Sequence, residues 1–305
     1  MQKATVRIEP YGALVYIPEI PATVRLNQDE TRRLLKYAGG FPLDLTAPEV
    51  AHLEISNRCN MNCPECYVKD KSGKELTTGQ WKRIIEDLAR NGVLQCTFGG
   101  GEPFVREDIF ELASCVNEFG MNLAVTTNGT LLKDDERLSS FKQINFSDHG
   151  NLEELKPKME MAQKHTKIGI NFVARKSTCG ELKQVADYCR SRDIELLLHS
   201  YKPVNGDREE AVEPADVMCL GLRLARTGVR VAVDGMTCGR CFAARRFVDI
   251  DSMGNVFPCS FIRQPIGNAL EEPFARIWQR RKTPDECPYG KISRGGNRWQ
   301  LKKMR

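Results

Sequence analysis

The sequence predicts an α/β fold organised around a parallel sheet. Two observations carry this. From about residue 50, apolar runs of strand length alternate with amphipathic stretches of helix length. The residue types that carry chemistry also cluster just after those strands, where the sites of such folds lie. The candidate strands are 51–56, 93–98, 121–126, 143–147, 167–174 and 193–199. Between them lie the helical patterns Thr78–Asn91, Glu107–Phe119, Asn151–His165 and Gly180–Ser191.

Residues 1–49 stand apart as an N-terminal extension. Val6-Arg7-Ile8 and Ala13-Leu14-Val15-Tyr16-Ile17 flank Pro10-Tyr11-Gly12, the pattern of a β-hairpin. A helix over Asn27–Ala38 follows, with Asn27 and Glu30 spaced as a capping box and Gly39-Gly40 as its stop. Residues 50–212 form the core. At about residue 213 the pattern changes: one helical stretch, Pro214–Thr227, is followed by short strands, loops, clustered cysteines and a basic, strand-poor tail.

The composition suits a globular protein of one large or two ordinary domains, with 305 residues, 41% apolar and 28% charged. The N-terminus lacks the apolar segment of a signal peptide, and no run has the length of a membrane span. Twelve cysteines in such a chain fit a reducing, cytoplasmic setting, where they commonly mean metal or catalysis. The net charge of +5 does not by itself indicate nucleic acid, and none is expected as a partner.

Cys59, Cys63 and Cys66 form a Cys-x3-Cys-x2-Cys loop directly after Val50-Ala51-His52-Leu53-Glu54-Ile55. Three thiolates so close together can grip three corners of one cubane, and a four-iron cluster takes four ligands. The triplet therefore suggests one iron left open. A zinc knuckle is the alternative, although the spacing departs from paired Cys-x2-Cys zinc sites. With Tyr67 following, the loop resembles the signature of the radical S-adenosylmethionine (SAM) superfamily. The resemblance implies a partial (β/α)6 TIM-type barrel, matching the six strand–helix units. It also implies a [4Fe-4S] cluster whose open iron is chelated by SAM, and a ferredoxin or flavodoxin electron donor.

The second strand runs into Gly99-Gly100-Gly101-Glu102-Pro103. Glycines there let a backbone approach a ligand closely. Gly100, Gly101, Glu102 and Pro103 match the element that, in the family, contacts the SAM amino group. Thr127, Asn128 and Ser147 match strand-end positions facing SAM's carboxylate and ribose, though ordinary turn chemistry fits each as well. Asn171 and His199 fall where adenine and substrate contacts occur; His199 fits equally a half-buried structural histidine.

Near the C-terminus, Cys238-Gly239-Arg240-Cys241 precedes Phe247 to Cys259, which reads as a hairpin turning at Ser252-Met253-Gly254. Cys241, Gly254 and Cys259 resemble the core of the SPASM/twitch extension of radical SAM enzymes. The cysteine count then implies one auxiliary [4Fe-4S] cluster, with Cys238, Cys241, Cys259 and Cys287 as candidate ligands. The triplet is also similar to that of the molybdopterin-precursor enzyme, and a structural zinc on the same thiols is the alternative. At least four of Cys96, Cys115, Cys179, Cys189 and Cys219 read as core fillers, and Trp278 as a core anchor.

The reading is a radical SAM enzyme acting on a ribosomal peptide, a protein side chain or a peptide-derived cofactor. The alternatives are a small-molecule cofactor enzyme, and a non-enzymatic iron–sulfur carrier or zinc module. No residue is singled out as catalytic.

Overall fold

The computed structural model describes residues 4–18, 22–63, 66–71, 73–204, 206–238, 241–284 and 287–289. The basic tail therefore lies outside the described residues, apart from its first few. The N-terminal unit is a three-stranded antiparallel sheet, β1 (Thr5–Glu9), β2 (Gly12–Ile17) and β3 (Ala22–Asn27), with helix α1 (Gln28–Leu35). The hairpin and the Asn27/Glu30 capping box are as expected. The third strand was not anticipated, because Pro18 and Pro21 interrupt the run that leads to it. The helix also ends early, at Lys36 in the left-handed region (φ 52°), ahead of the two glycines. Arg7 fastens this unit to the body. Its buried guanidinium pairs with Glu9 and donates to the carbonyls of Ala47 (2.9 Å), Pro48 (2.8 Å) and Gly92 (2.8 Å). Those carbonyls precede β-strands, so the unit caps the amino end of the main sheet.

The main sheet follows the predicted alternation: β4 (Val50–Ser56), α2 (Thr78–Arg90), β5 (Gln95–Gly100), α3 (Ile109–Glu118), β6 (Asn122–Thr127), β7 (Gln143–Asp148), α4 (Leu152–Gln163), β8 (Lys167–Ala174), α5 (Leu182–Arg192) and β9 (Glu195–Ser200). The chain does not leave the sheet at residue 213. Helix α6 (Pro214–Arg226) leads to a short parallel strand, β10 (Val231–Val233), beside β9. Strand β11 (Phe247–Ile250) then crosses to the far side and pairs parallel with β4. The hairpin partner β12 (Asn255–Phe257) and β13 (Gly267–Asn268) complete the order β10-β9-β8-β7-β6-β5-β4-β11-β12-β13. No closed barrel forms among the described residues. Gly254, with φ 86°, makes the expected turn.

The alternation of the strands explains where the core sits. Leu53, Ile55, Phe98, Leu123, Val125, Ile144, Phe146, Ile170, Phe172, Leu196 and Leu198 point toward the helices and are buried. The opposite, concave face carries polar residues bonded to one another: Asn122 donates to Gln95 (3.1 Å) and Gln143 to Asn145 (2.8 Å). A packed barrel fills this space with branched apolar side chains; a polar concave face suits a bound ligand. Cys96, Cys115, Cys179 and Cys189 are buried as expected, Cys219 is exposed, and burial pushes the Cys96 and Cys189 thiols up to about 12. Trp278, on α7 (Phe274–Gln279), is buried and donates to the Leu45 carbonyl at 2.7 Å. Among the described residues no helix is long and apolar enough to cross a membrane.

Candidate cluster and cofactor site

The three-cysteine loop leaves the carboxyl end of β4, and backbone bonds from the next strand fix its root. Gly101 N–H donates to Ser56 O and Glu102 N–H to Arg58 O, each at 2.8 Å. Glu75 grips the same turn, accepting from Ser56 Oγ (2.7 Å) and Asn57 N (3.0 Å). The glycines are steric necessities. Gly100 has φ 102°, and a Cβ on Gly101 would run into the Arg58 carbonyl. Cys59, Cys63 and Cys66 are half-buried free thiols. Burial pushes the Cys66 thiol up, and charge on Cys63 and Cys59 adds to this. An iron ion at the loop would reverse that preference and hold all three as thiolates.

Glu102 is tied into the fold from the glycine turn. Its carboxylate is 1% exposed and accepts from Phe104 N (3.1 Å), Thr127 Oγ1 (2.7 Å) and Asn128 N (2.8 Å). Burial raises its pKa against those three bonds. The side chain thus ties the end of β6 to the glycine turn, while the buried Pro103 starts a single 3-10 turn, Pro103–Val105. The motif's open surface is the backbone of Gly100 and Gly101, both half-buried.

Ser147, near the end of β7, is the register partner of Asn171 within β8. Asn171 Oδ1 is buried without a hydrogen-bond partner, an acceptor left free on the concave face. His199, half-buried at the end of β9, lies 3.8 Å from Asp234 Oδ2. Asp234 is held low despite its burial, because His199, Lys202 and Thr237 all face it. That cluster fastens the start of the Cys238 segment to the sheet.

One buried group escaped the sequence reading. On the concave face of β4 and β11, His52 Nδ1 lies 2.6 Å from Asp249 Oδ1, and Ser260 Oγ donates to the same oxygen at 3.0 Å. Arg263 bridges Glu54 (2.7 and 3.2 Å) and Asp249 (2.9 Å) and stacks over Phe257. Tyr67 packs between His52 and Phe261. A signal existed in the strand, where His52 and Glu54 alternate with apolar residues; nothing local pointed to Asp249 or Arg263 as their partners.

Burial and the neighbouring Asp249 push the Glu54 carboxyl up to about 9. Asp249 is lowered despite burial, chiefly by its hydrogen bond from His52. A carboxyl raised on folding adds stability in full below its ordinary range, and that stability is lost as pH rises through the folded value. The melting temperature of the metal-free chain should therefore fall between about pH 6 and 9, and Glu54→Gln should flatten the slope. An equal slope in that variant refutes the assignment.

Of the C-terminal cysteines, Cys241, Cys259 and Cys287 are half-buried and Cys238 is exposed. Burial pushes Cys259 up to about 11, with Cys241 adding to it. Burial raises Tyr289, with charge on Cys259 and Cys287 adding to it, and the ring packs against Phe261. The segment after Cys259 spans the open side of the sheet. Arg263 reaches β4 and β11, while Phe261 lies under Lys202, which follows β9.

Comparisons with known proteins agree with this geometry. Residues 53–212 match the Radical SAM superfamily, and residues 241–292 match an iron–sulfur cluster-binding domain called SPASM. The AdoMet-dependent heme synthase of Methanosarcina barkeri is 25% identical, over 82% of this chain and 91% of its own. A PqqA peptide cyclase from Granulibacter bethesdensis is 27% identical, over 74% of this chain and 70% of its own. Streptococcus suis SuiB, solved with S-adenosylmethionine, superposes with a TM-score of 0.74 at 18% identity, covering 95% of this chain and 89% of its own. SuiB bound to the precursor peptide SuiA gives 0.71 at 18% identity, covering 90% and 87%.

Proposed function

The chain belongs to the radical SAM superfamily, and on that premise we propose that Cys59, Cys63 and Cys66 hold its SAM-binding [4Fe-4S] cluster and that its substrate is a peptide or peptide-derived molecule. It is an enzyme of that superfamily with an auxiliary iron–sulfur domain. When bound, the cluster supplies the electron that splits SAM to methionine and a 5′-deoxyadenosyl radical, which takes a hydrogen atom from the substrate.

The observation that carries this is the seat of the cysteine loop. Backbone N–H groups of Gly101 and Glu102 hold its root against the glycine turn, and the thiols stand free of disulfides. The residues around it bind and orient. Gly100 and Gly101 offer backbone that a ligand can approach, and Ser147 and the unpartnered Asn171 Oδ1 place polar atoms on the concave face. His199 stands at the same rim. Cys238, Cys241, Cys259 and Cys287 are the proposed donors to an auxiliary cluster, with Cys238 the most exposed of them. A ferredoxin or flavodoxin would deliver the electron, and the setting would be the cytoplasm.

Reconstituted without oxygen and given dithionite, the chain should release 5′-deoxyadenosine from SAM. Replacing Cys59, Cys63 and Cys66 together by alanine should abolish that release while leaving the second set of irons. Continued release by the triple variant would remove the assignment. The relation to a PqqA peptide cyclase over most of this chain supports the peptide substrate. A second reading, a small molecule, draws on the heme synthase relative. Deuterium transferred into 5′-deoxyadenosine from a labelled peptide, and not from a heme precursor, decides between them.

A further inference from the structure

Two side chains from successive strand ends point side-chain nitrogens at the cysteine loop. Asn128 follows β6 and is 8% exposed. Its Oδ1 accepts from Thr130 N (3.0 Å) and Thr130 Oγ1 (2.6 Å), which fixes which end of the amide is which. Its Nδ2 must then face the loop, where it lies 2.9 Å from Asn60 Oδ1 and 4.0 Å from Cys59 Sγ. His149 follows β7, with Nε2 at 3.8 Å from Cys63 Sγ. The turn that carries it is locked, since Asp148 Oδ1 accepts from Gly150 N (3.1 Å) and Asn151 N (3.2 Å), and Asn151 Oδ1 accepts from His149 N (3.3 Å). Cys59 Sγ also accepts from Met61 N at 3.3 Å within the loop itself.

We infer that Asn128 and His149 are positioning residues that donate N–H hydrogen bonds to the Cys59 and Cys63 sulfurs and so raise the potential at which this cluster accepts its electron. The inference rests on the reading that these cysteines hold the cluster. Reduction by one electron from a low-potential donor adds negative charge that spreads onto the ligand sulfurs. An N–H dipole aimed at a sulfur stabilises the reduced state more than the oxidised one, and hydrogen bonds to sulfur are a recognised control of iron–sulfur potentials. The half-buried surroundings strengthen the effect relative to water. Neither side chain has to ligate iron. With the imidazole proton on Nε2, His149 is a donor, and the Asn128 amide can be nothing else in this orientation.

The test is a dithionite redox titration of the reconstituted full chain, following by electron paramagnetic resonance the cluster signal that changes on adding SAM. His149→Phe and Asn128→Leu remove a donor; His149→Gln keeps one. At the wild-type midpoint, each donor-less variant should show the ratio of reduced to oxidised cluster falling about tenfold, about 59 mV for a one-electron couple. His149→Gln should recover most of this, and the SAM-insensitive signal should keep its potential. Unmoved midpoints in both donor-less variants, or equal shifts of both signals, would overturn the inference. Loss of the SAM-responsive cluster from both His149 variants would overturn it too, by making the imidazole a ligand. A wild-type chain with no SAM-responsive cluster would overturn the reading beneath it as well, and is told apart by missing iron rather than by an unmoved midpoint.

Discussion

Gly101→Ala should cost the chain its SAM-responsive cluster while leaving the auxiliary irons in place. The added methyl would meet the Arg58 carbonyl and come within 2.8 Å of the Asn57 carbonyl, both backbone atoms that cannot swing aside as a side-chain tip could. Relief requires the root of the cysteine loop to move off β5, which breaks the 2.8 Å bonds from Gly101 N–H and Glu102 N–H. Overpacking of this kind costs about 1–3 kcal/mol, and each lost backbone bond about 1 kcal/mol more. Together they lower the seated fraction of the loop by about a hundredfold or more. The check is iron per chain, expected to fall from about eight to about four, with 5′-deoxyadenosine release lost in step. Full iron and normal release in this variant would mean that the glycine turn does not hold the loop.

Arg263→Met should loosen the segment after Cys259. The guanidinium bonds two carboxyl groups that are nearly inaccessible to water, the raised Glu54 and the lowered Asp249. Methionine removes the guanidinium that lies over Phe257 and leaves the two carboxyl groups facing one another. Removing one partner of a buried ion pair costs about 3–5 kcal/mol. Arg263 is 35% exposed, so the lower figure of about 2–3 kcal/mol is expected once solvent screening is allowed for. Glu54 would be driven further toward its neutral form. The measurable outcomes are faster proteolysis between residues 259 and 284 and loss of auxiliary iron, with Arg263→Lys recovering part of both. Unchanged proteolysis in the methionine variant would show that the aromatic contacts of Phe261 suffice to hold the segment.

Features that depend on near neighbours were legible in the sequence. The strands of the main sheet, the capping box at Asn27 and the turn at Gly254 are each written within a few residues. So was the grouping of the cysteine loop, whose three thiols lie within eight residues of one another. Long-range partnerships were not. His52 and Glu54 find Asp249 and Arg263 only because β11 lays itself against β4, and no local pattern announces that pairing. Glu102 illustrates the same limit. Its motif was plain, but that its carboxylate turns inward to Thr127 and Asn128 depends on how β5 and β6 sit side by side. The third N-terminal strand was hidden by two prolines that bound the connection before it.

The pairing of β4 with β11 also governs the order in which the molecule can be completed. Strand β4 is the first of the main sheet to leave the ribosome, and its outer partner follows 197 residues later, the separation of His52 from Asp249. Until then one side of β4 is an open edge that presents unpaired backbone groups together with His52 and Glu54, the kind of surface on which nascent chains adhere to one another. The cysteine loop emerges on that same unfinished edge. A nascent chain halted before residue 247 would thus expose the thiols of the cysteine loop and an unpaired strand edge together, and synthesis of β11 and the segment after it covers that edge.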